Sequence, residues 1–342
     1  MLFLGEWCRL YSSRQQWVEL DAVILPYHWN DREKLAEDRE YVRLLYEELL
    51  LEVSVRLNEL HRANHSLRYW RIIVGPWLSQ FVQILFDRWE SIHQAVDSHE
   101  ISETIVLTGL ENQRAPNNFF DFLDLQEASD WNHQLYAKIL LGFTDIPCQV
   151  VDGSCADTPG VVGFRPDKPE ISRALSLGWK SKILAMWSRW ARVLSKSTDL
   201  FMINTCLRSV REELRLHRLL GQVPQVTGLV LPVEVPMDEQ WRRWELGYVH
   251  SAGFEECIRK MIPEQIPTAY VEGYELLCDQ VDRLGWPRHP KAVFTSISDF
   301  ADDVFKTWCA QKTEEGAPLI IGQHGGILGM ARSFSYEHQI AI

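Results

Sequence analysis

In the stretch PLIIGQHGGILGMARSF (318–334), an apolar run leads into a Gln-His pair, two adjacent glycines, a third glycine and Arg332. Adjacent glycines let a backbone approach a ligand closely, and successive N–H groups at a helix start make an anion site. On that reading Gln323, His324, Gly325, Gly326 and Arg332 would hold the phosphates of a donor, with His324 donating to a leaving oxygen. A plain strand-to-helix turn needing positive φ is the alternative. Proton removal from a hydroxyl nucleophile takes a carboxylate or an imidazole, and Glu6, His28 and Asp31 are the candidates. Asp31 is equally placed to cap a helix beginning at Arg32.

These residues acquire a common logic from the elements that carry them. LFLGEWC (2–8) and AVILPYHWND (22–31) each run from apolar residues into a polar cluster, as a buried strand entering a loop does. TIVLTG (104–109), 148–152 and LFMINTC (200–206) are further short strands. Leu45, Leu49, Val53, Leu57 and Leu60 follow helical spacing and predict a long amphipathic helix over 32–60. Residues 66–96 read as two buried helices broken at Gly75-Pro76, and 119–141 as another helix. Strands alternating with helices predict a mostly parallel, doubly wound α/β domain over 1–235 with extra helices.

The proline-bearing stretch 224–236 is the best linker, followed by a helical region over 236–286. A second α/β unit starts at 287, with strands at 291–296 and 318–323 and a helix over 299–312. Two strands do not bury the faces of an open sheet, so 287–342 reads as the first part of an incomplete domain. In parallel sheets ligands sit beyond the carboxyl ends of strands. That rule groups Glu6, Arg9, His28, Asn30, Asp31, Glu111 and Asn112 on one side, and Ser296, Ser298 and 323–326 on the other. Together they would form the two walls of a cleft.

With 35 basic and 47 acidic residues the net charge is −12, which opposes contact with nucleic acid over the whole surface. No apolar run reaches the roughly 18 residues of a membrane span, and Glu6 interrupts the start too early for a secretory signal, so a cytoplasmic location is expected. The seven cysteines include no CxxC pair and read as reduced thiols, with no metal site. The 14 tryptophans exceed a usual share; their faces can stack on sugar rings, although helical spacing puts most of them in a core. Between Arg173 and Arg218 basic residues outnumber acidic ones. The stretch 179–196 carries an apolar stripe flanked by Lys182, Arg189 and Lys196, which suits either a solvated helix face or peripheral contact with an anionic membrane. The absence of GxSxG, HExxH, a P-loop and a full GxGxxG removes support from hydrolase, zinc-protease, nucleotide-kinase and simple dehydrogenase readings.

LFLGEWC, LPYHWNDR, SLRYWRIIVGPWL, IPEQIPTAYVEGY, FTS and IGQHGG, in that order, resemble a bacterial family of transferases of O-antigen and surface-polysaccharide biosynthesis with leptospiral members. The resemblance implies a glycosyltransferase-like enzyme of GT-B-like architecture. Its N-terminal Rossmann-like domain would receive a glycan or lipid-linked glycan acceptor, through Arg9, Trp29, Asp31, Glu111 and Asn112. The start of a second Rossmann-like domain would bind a nucleotide-sugar through Ser296, Gln323, His324, Gly325, Gly326 and Arg332. Catalysis would fall to Glu6, His28 and His324, with the nucleotide-sugar as donor substrate and no separate cofactor. The family pattern continues for some two hundred residues more, which implies a chain shortened at its C-terminus. A transferase of polyol phosphate onto wall polymers, and an inactive remnant that only binds acceptor, are the alternatives.

Overall fold

The computed structural model describes residues 1–110, 114–153, 193–207, 209–224, 231–247 and 253–322, together with residues 186 and 190. Three small parallel sheets decorate a mainly helical body. β1 (Leu2–Phe3) pairs with β2 (Val23–Ile24), with the single helical turn α1 (Arg14–Trp17) between them. β3 (Thr104–Thr108) pairs with β4 (Cys148–Asp152) in register from Thr104 opposite Cys148 to Thr108 opposite Asp152. β6 (Ala292–Thr295) lies between β5 (Leu200–Ile203) and β7 (Leu319–Ile321).

The body is built on two long helices. α2 (Arg32–His61) starts where the Asp31 carboxylate accepts from the backbone N–H of Glu33 and Lys34, and it ends at Arg62, whose φ of 52° is left-handed. Its apolar positions Leu45, Leu49, Val53 and Leu57 are buried, as their spacing predicts. α3 (Leu67–Ser98) is capped by Ser66, whose hydroxyl accepts from the N–H of Tyr69. It is one helix, with Pro76 inside it, where the sequence predicts two. A proline in mid-helix costs about 3 kcal/mol, but Val74, Trp77 and Leu78 beside it are fully buried. At about 1.5–3 kcal/mol for each such side chain, their burial outweighs the lost hydrogen bond.

α3 is the hub, packed against α2, against α5 (Ser129–Phe143), and against two later helices, α7 (Phe254–Gln265) and α10 (Asp303–Glu314). The helix expected over 119–141 is divided into α4 (Phe119–Leu125) and α5. α6 (Val210–Leu219) follows β5, while α8 (Tyr274–Arg283) and the short α9 (Ser298–Ala301) flank β6. Trp70, Trp77 and Trp131 are fully enclosed, which places these three in the core.

Two expectations about the sheets change. The strands are parallel in every pair, but among the described residues they make three separate sheets instead of one doubly wound sheet over 1–235. β1 and β2 are only two residues long, and the α2–α3 hairpin supplies the burial that a wide sheet would otherwise provide. β5, expected in the first domain, is hydrogen-bonded to β6 of the second. One hydrophobic cluster includes Trp131, Phe201, Ile262 and Phe305, so the core runs across the expected boundaries at 235 and 286. Among the described residues no helix is long and apolar enough to cross a membrane.

Candidate active site

Beyond β2, Leu25 is buried, Pro26 ends the extended run, and a 3-10 turn, His28–Asn30, closes with the N–H of Asn30 on the carbonyl of Tyr27. This turn holds the His28 side chain inward, leaving the residue 7% exposed. Its Nε2 lies 3.0 Å from Oδ1 of Asp87, a buried residue of α3. Burial opposes charge on Asp87, yet the hydrogen bond from His28, the Arg88 guanidinium and the Tyr27 hydroxyl together hold its carboxyl below the usual carboxylate value. An ionised carboxylate only accepts, so Nε2 carries the imidazole hydrogen. Nδ1, itself buried, has no hydrogen-bond partner.

Asp87 is itself fixed by its neighbours. Arg88 pairs with its Oδ2, and the same guanidinium donates to Asn132 Oδ1 at 2.8 Å. The Tyr27 hydroxyl is pushed upward in pKa by burial and by Asp87. An imidazole oriented by a buried carboxylate, with its other nitrogen unpartnered, is the arrangement that general-base catalysis requires.

Aromatic rings surround this dyad. Tyr27 and Trp29 lie 4.8 Å and 4.6 Å from the imidazole, and Trp7 meets Tyr27 edge-on at 5.8 Å. Trp7 is 45% exposed, and its indole folds over Gly5, where any Cβ would lie 2.2 Å from the ring. Trp29 is anchored by its Nε1 donating to Asp38 at 2.9 Å. Glu6 is exposed and pairs with Arg9 at 3.3 Å, while the Arg9 guanidinium lies over Trp17. Asp31 caps α2 through Oδ1, which accepts both backbone N–H groups. Glu111 and Asn112 lie outside the described residues.

A second polar centre forms where β5, β6 and β7 end. Asn204 follows β5 with a φ of 47°, a conformation its short polar side chain tolerates, and its Nδ2 donates to Ser298 Oγ at 2.7 Å. The carbonyl of Asn204 accepts from the N–H of Ser296 at 3.2 Å. Thr295 Oγ1 accepts from the N–H of Ser298 and so starts α9. Gly322 follows β7, and its N–H donates to the carbonyl of Thr295 at 2.8 Å. A Cβ on Gly322 would lie 2.7 Å from both Ser296 Oγ and Phe294 Cζ, so any larger residue would have to displace these side chains. Ser296 and Ser298 therefore sit at the expected strand end. Gln323, His324, Gly325, Gly326 and Arg332 lie outside the described residues.

Sequence reasoning missed Asp87, which lies 59 residues from His28 and belongs to a different element. A signal was present, since LFDRWESI places an Asp-Arg pair inside an apolar helical run. It also missed Asn204, although an asparagine directly after an apolar strand run is a residue type suited to left-handed backbone. Among the described residues no group of three or more His, Cys, Asp or Glu is arranged to hold a metal, and the six described cysteines are free thiols.

A family model described as LIC12162 family transferase matches residues 1–342, and the chain belongs to that family. No curated protein and no solved structure matches it.

Proposed function

We propose that this LIC12162 family transferase is a glycosyltransferase of surface-polysaccharide assembly, moving a sugar from a nucleotide-sugar to a hydroxyl of an O-antigen-type glycan acceptor. The observation that carries the reading is the His28–Asp87 dyad beyond β2, with its Nδ1 buried and unpartnered beside the half-buried rings of Tyr27 and Trp29, which would have to part to admit an acceptor. The acceptor sugar would lie against Trp7, Tyr27 and Trp29, whose faces suit a pyranose ring. Nδ1 of His28 takes the acceptor proton as the oxygen bonds to the anomeric carbon, and the bond from that carbon to the phosphate oxygen breaks. The nucleoside diphosphate leaves with the bonding electrons. Asp87 stabilises the imidazolium that results.

On the donor side, Ser296 and residues 323–326 would receive the diphosphate, with backbone N–H groups and His324 stabilising the leaving charge. Arg332 would add a cation there. The His28 geometry favours it over Glu6 as base, because Glu6 is exposed and paired with Arg9. Arg9, Asp31, Glu111 and Asn112 remain the proposed acceptor contacts, and a GT-B-like pairing of an acceptor and a donor unit remains the proposed architecture. Work at the inner face of the cytoplasmic membrane would suit a lipid-linked acceptor.

The test is turnover of a panel of nucleotide-sugars by the chain with glycan acceptors, followed by release of the nucleotide. His28→Gln should lower kcat by about 10²- to 10⁴-fold. Asp87→Asn should lower kcat too and alter the pH profile, since an amide accepts from Nε2–H without stabilising the cation. Unchanged turnover in both variants would exclude the dyad from the chemistry.

A further inference from the structure

At the amino ends of β5 and β6, the edge of the sheet opposite the strand-end serines, the chain forms an open cleft of about 400 Å³. It is lined by Val193, Ser195, Lys196, Ser197, Arg288 and His289. No carboxylate lines it. The nearby acids are engaged elsewhere: Asp199 accepts from the backbone N–H of Lys196 at 2.9 Å, and Glu315 lies 3.5 Å from His289 Nδ1 and 2.7 Å from Lys312. No ion pair of Lys196 or Arg288 is found among the described residues. Two cations, an imidazole and two hydroxyls thus converge in a protein whose net charge is −12.

We propose that this cleft is a binding site for a phosphate ester, separate from the sugar-transfer centre and independent of that reading. A phosphoryl group presents acceptor oxygens, which the donor-rich lining matches, and the planar fork of Arg288 suits two of them at once. The volume falls in the range of sites that hold small ligands. Such a group comes either from a soluble phosphate or from a phospholipid headgroup. Met186, Trp190, Val193 and Leu194 are each in helical conformation and 57%, 60%, 76% and 54% exposed, and Val193 lines the cleft. Exposed apolar residues beside a basic cleft favour the headgroup.

Two arms separate the sources. The chain is titrated with inorganic phosphate by calorimetry, and separately floated with vesicles of phosphatidylcholine alone or mixed with phosphatidylglycerol. Lys196→Gln with Arg288→Gln should weaken the binding about tenfold, while Arg283→Gln, in an exposed pair on α8, should leave it unchanged. Flotation with the anionic vesicles only, lost in the double variant, assigns the headgroup. Phosphate binding without flotation, lost in the same variant, assigns a soluble ester. The imidazole resonances of His289 in the unmodified chain should shift with whichever ligand binds, a readout that holds even where a variant folds poorly. Absence of binding in both arms, binding unaltered in the double variant, or an unmoved His289 overturns the proposal.

Discussion

Removing the Asp303 carboxylate should break the most deeply buried ionic cluster of the chain's described core. Lys306 is fully buried, and its Nζ lies 2.7 Å from Asp303 Oδ1 and 3.0 Å from the Tyr270 hydroxyl. Tyr270 donates to the same carboxylate oxygen at 2.6 Å, and the backbone N–H of Phe119 donates to the other at 2.9 Å. Asp303→Ala therefore leaves a buried ammonium without its counter-charge, and the Tyr270 hydroxyl and the Phe119 amide without their acceptor. Losing one partner of a buried pair costs about 3–5 kcal/mol. The fields of Asp302 and Asp299 still reach Lys306, and its ammonium lies 4.7 Å from the Phe119 ring, so the lower end, about 3 kcal/mol, is expected. Lys306→Met should cost less, because Asp303 keeps its hydrogen bonds from Tyr270 and Phe119. In the double variant the stranded ammonium is gone, so its loss should be smaller than the two single losses added. Burial holds the Lys306 pKa below its ordinary value despite Asp303. The unfolded chain then binds more protons than the folded one, so stability rises with pH between the lowered folded value of Lys306 and its unfolded value of about 10.4. Urea midpoints by circular dichroism and tryptophan fluorescence measure all of this. A loss under about 1 kcal/mol in Asp303→Ala, or strict additivity in the double variant, refutes the reasoning.

Three further outcomes follow from other groups. Burial pushes His61 from 6.5 down to about 4, with its Nε2 on the carbonyl of Tyr270, so the folded state resists protonation. About 3 kcal/mol of stability should be lost as pH falls from 6.5 towards 4, and thermal melts of His61→Gln should show a shallower decline over that window. Gly322→Ala places a methyl 2.7 Å from Phe294 and Ser296 and should cost about 1–3 kcal/mol, read as a lowered urea midpoint. Arg242 is buried, with its Nε and Nη2 on Glu272 at 2.7 Å and 2.8 Å and its Nη1 on the carbonyls of Pro263 and Ile266. Arg242→Lys loses that fork and should cost about 3 kcal/mol, with faster amide exchange at the end of α7 as the local signature.

What the sequence made legible was local, and what it hid was long-range. The α2 helix could be read because its apolar spacing and the Asp31 cap are both written within neighbouring residues. The unbroken α3 could not, because Pro76 is tolerated only through the burial that distant helices give to Trp77 and Leu78. Parallel strands were correctly expected, but the partnership of β5 with β6 joins residues some ninety positions apart, and no local pattern encodes such a pairing. The same division runs through the candidate site. His28 was named as a candidate because strand ends are where parallel sheets place their ligands. Asp87 was not, because it is carried on a helix and meets His28 only after the chain has folded back along α2 and α3. A strand-end rule therefore points to His28 as a candidate, while Asp87, the carboxylate that holds its imidazole, has to be sought among charged residues within apolar helical runs.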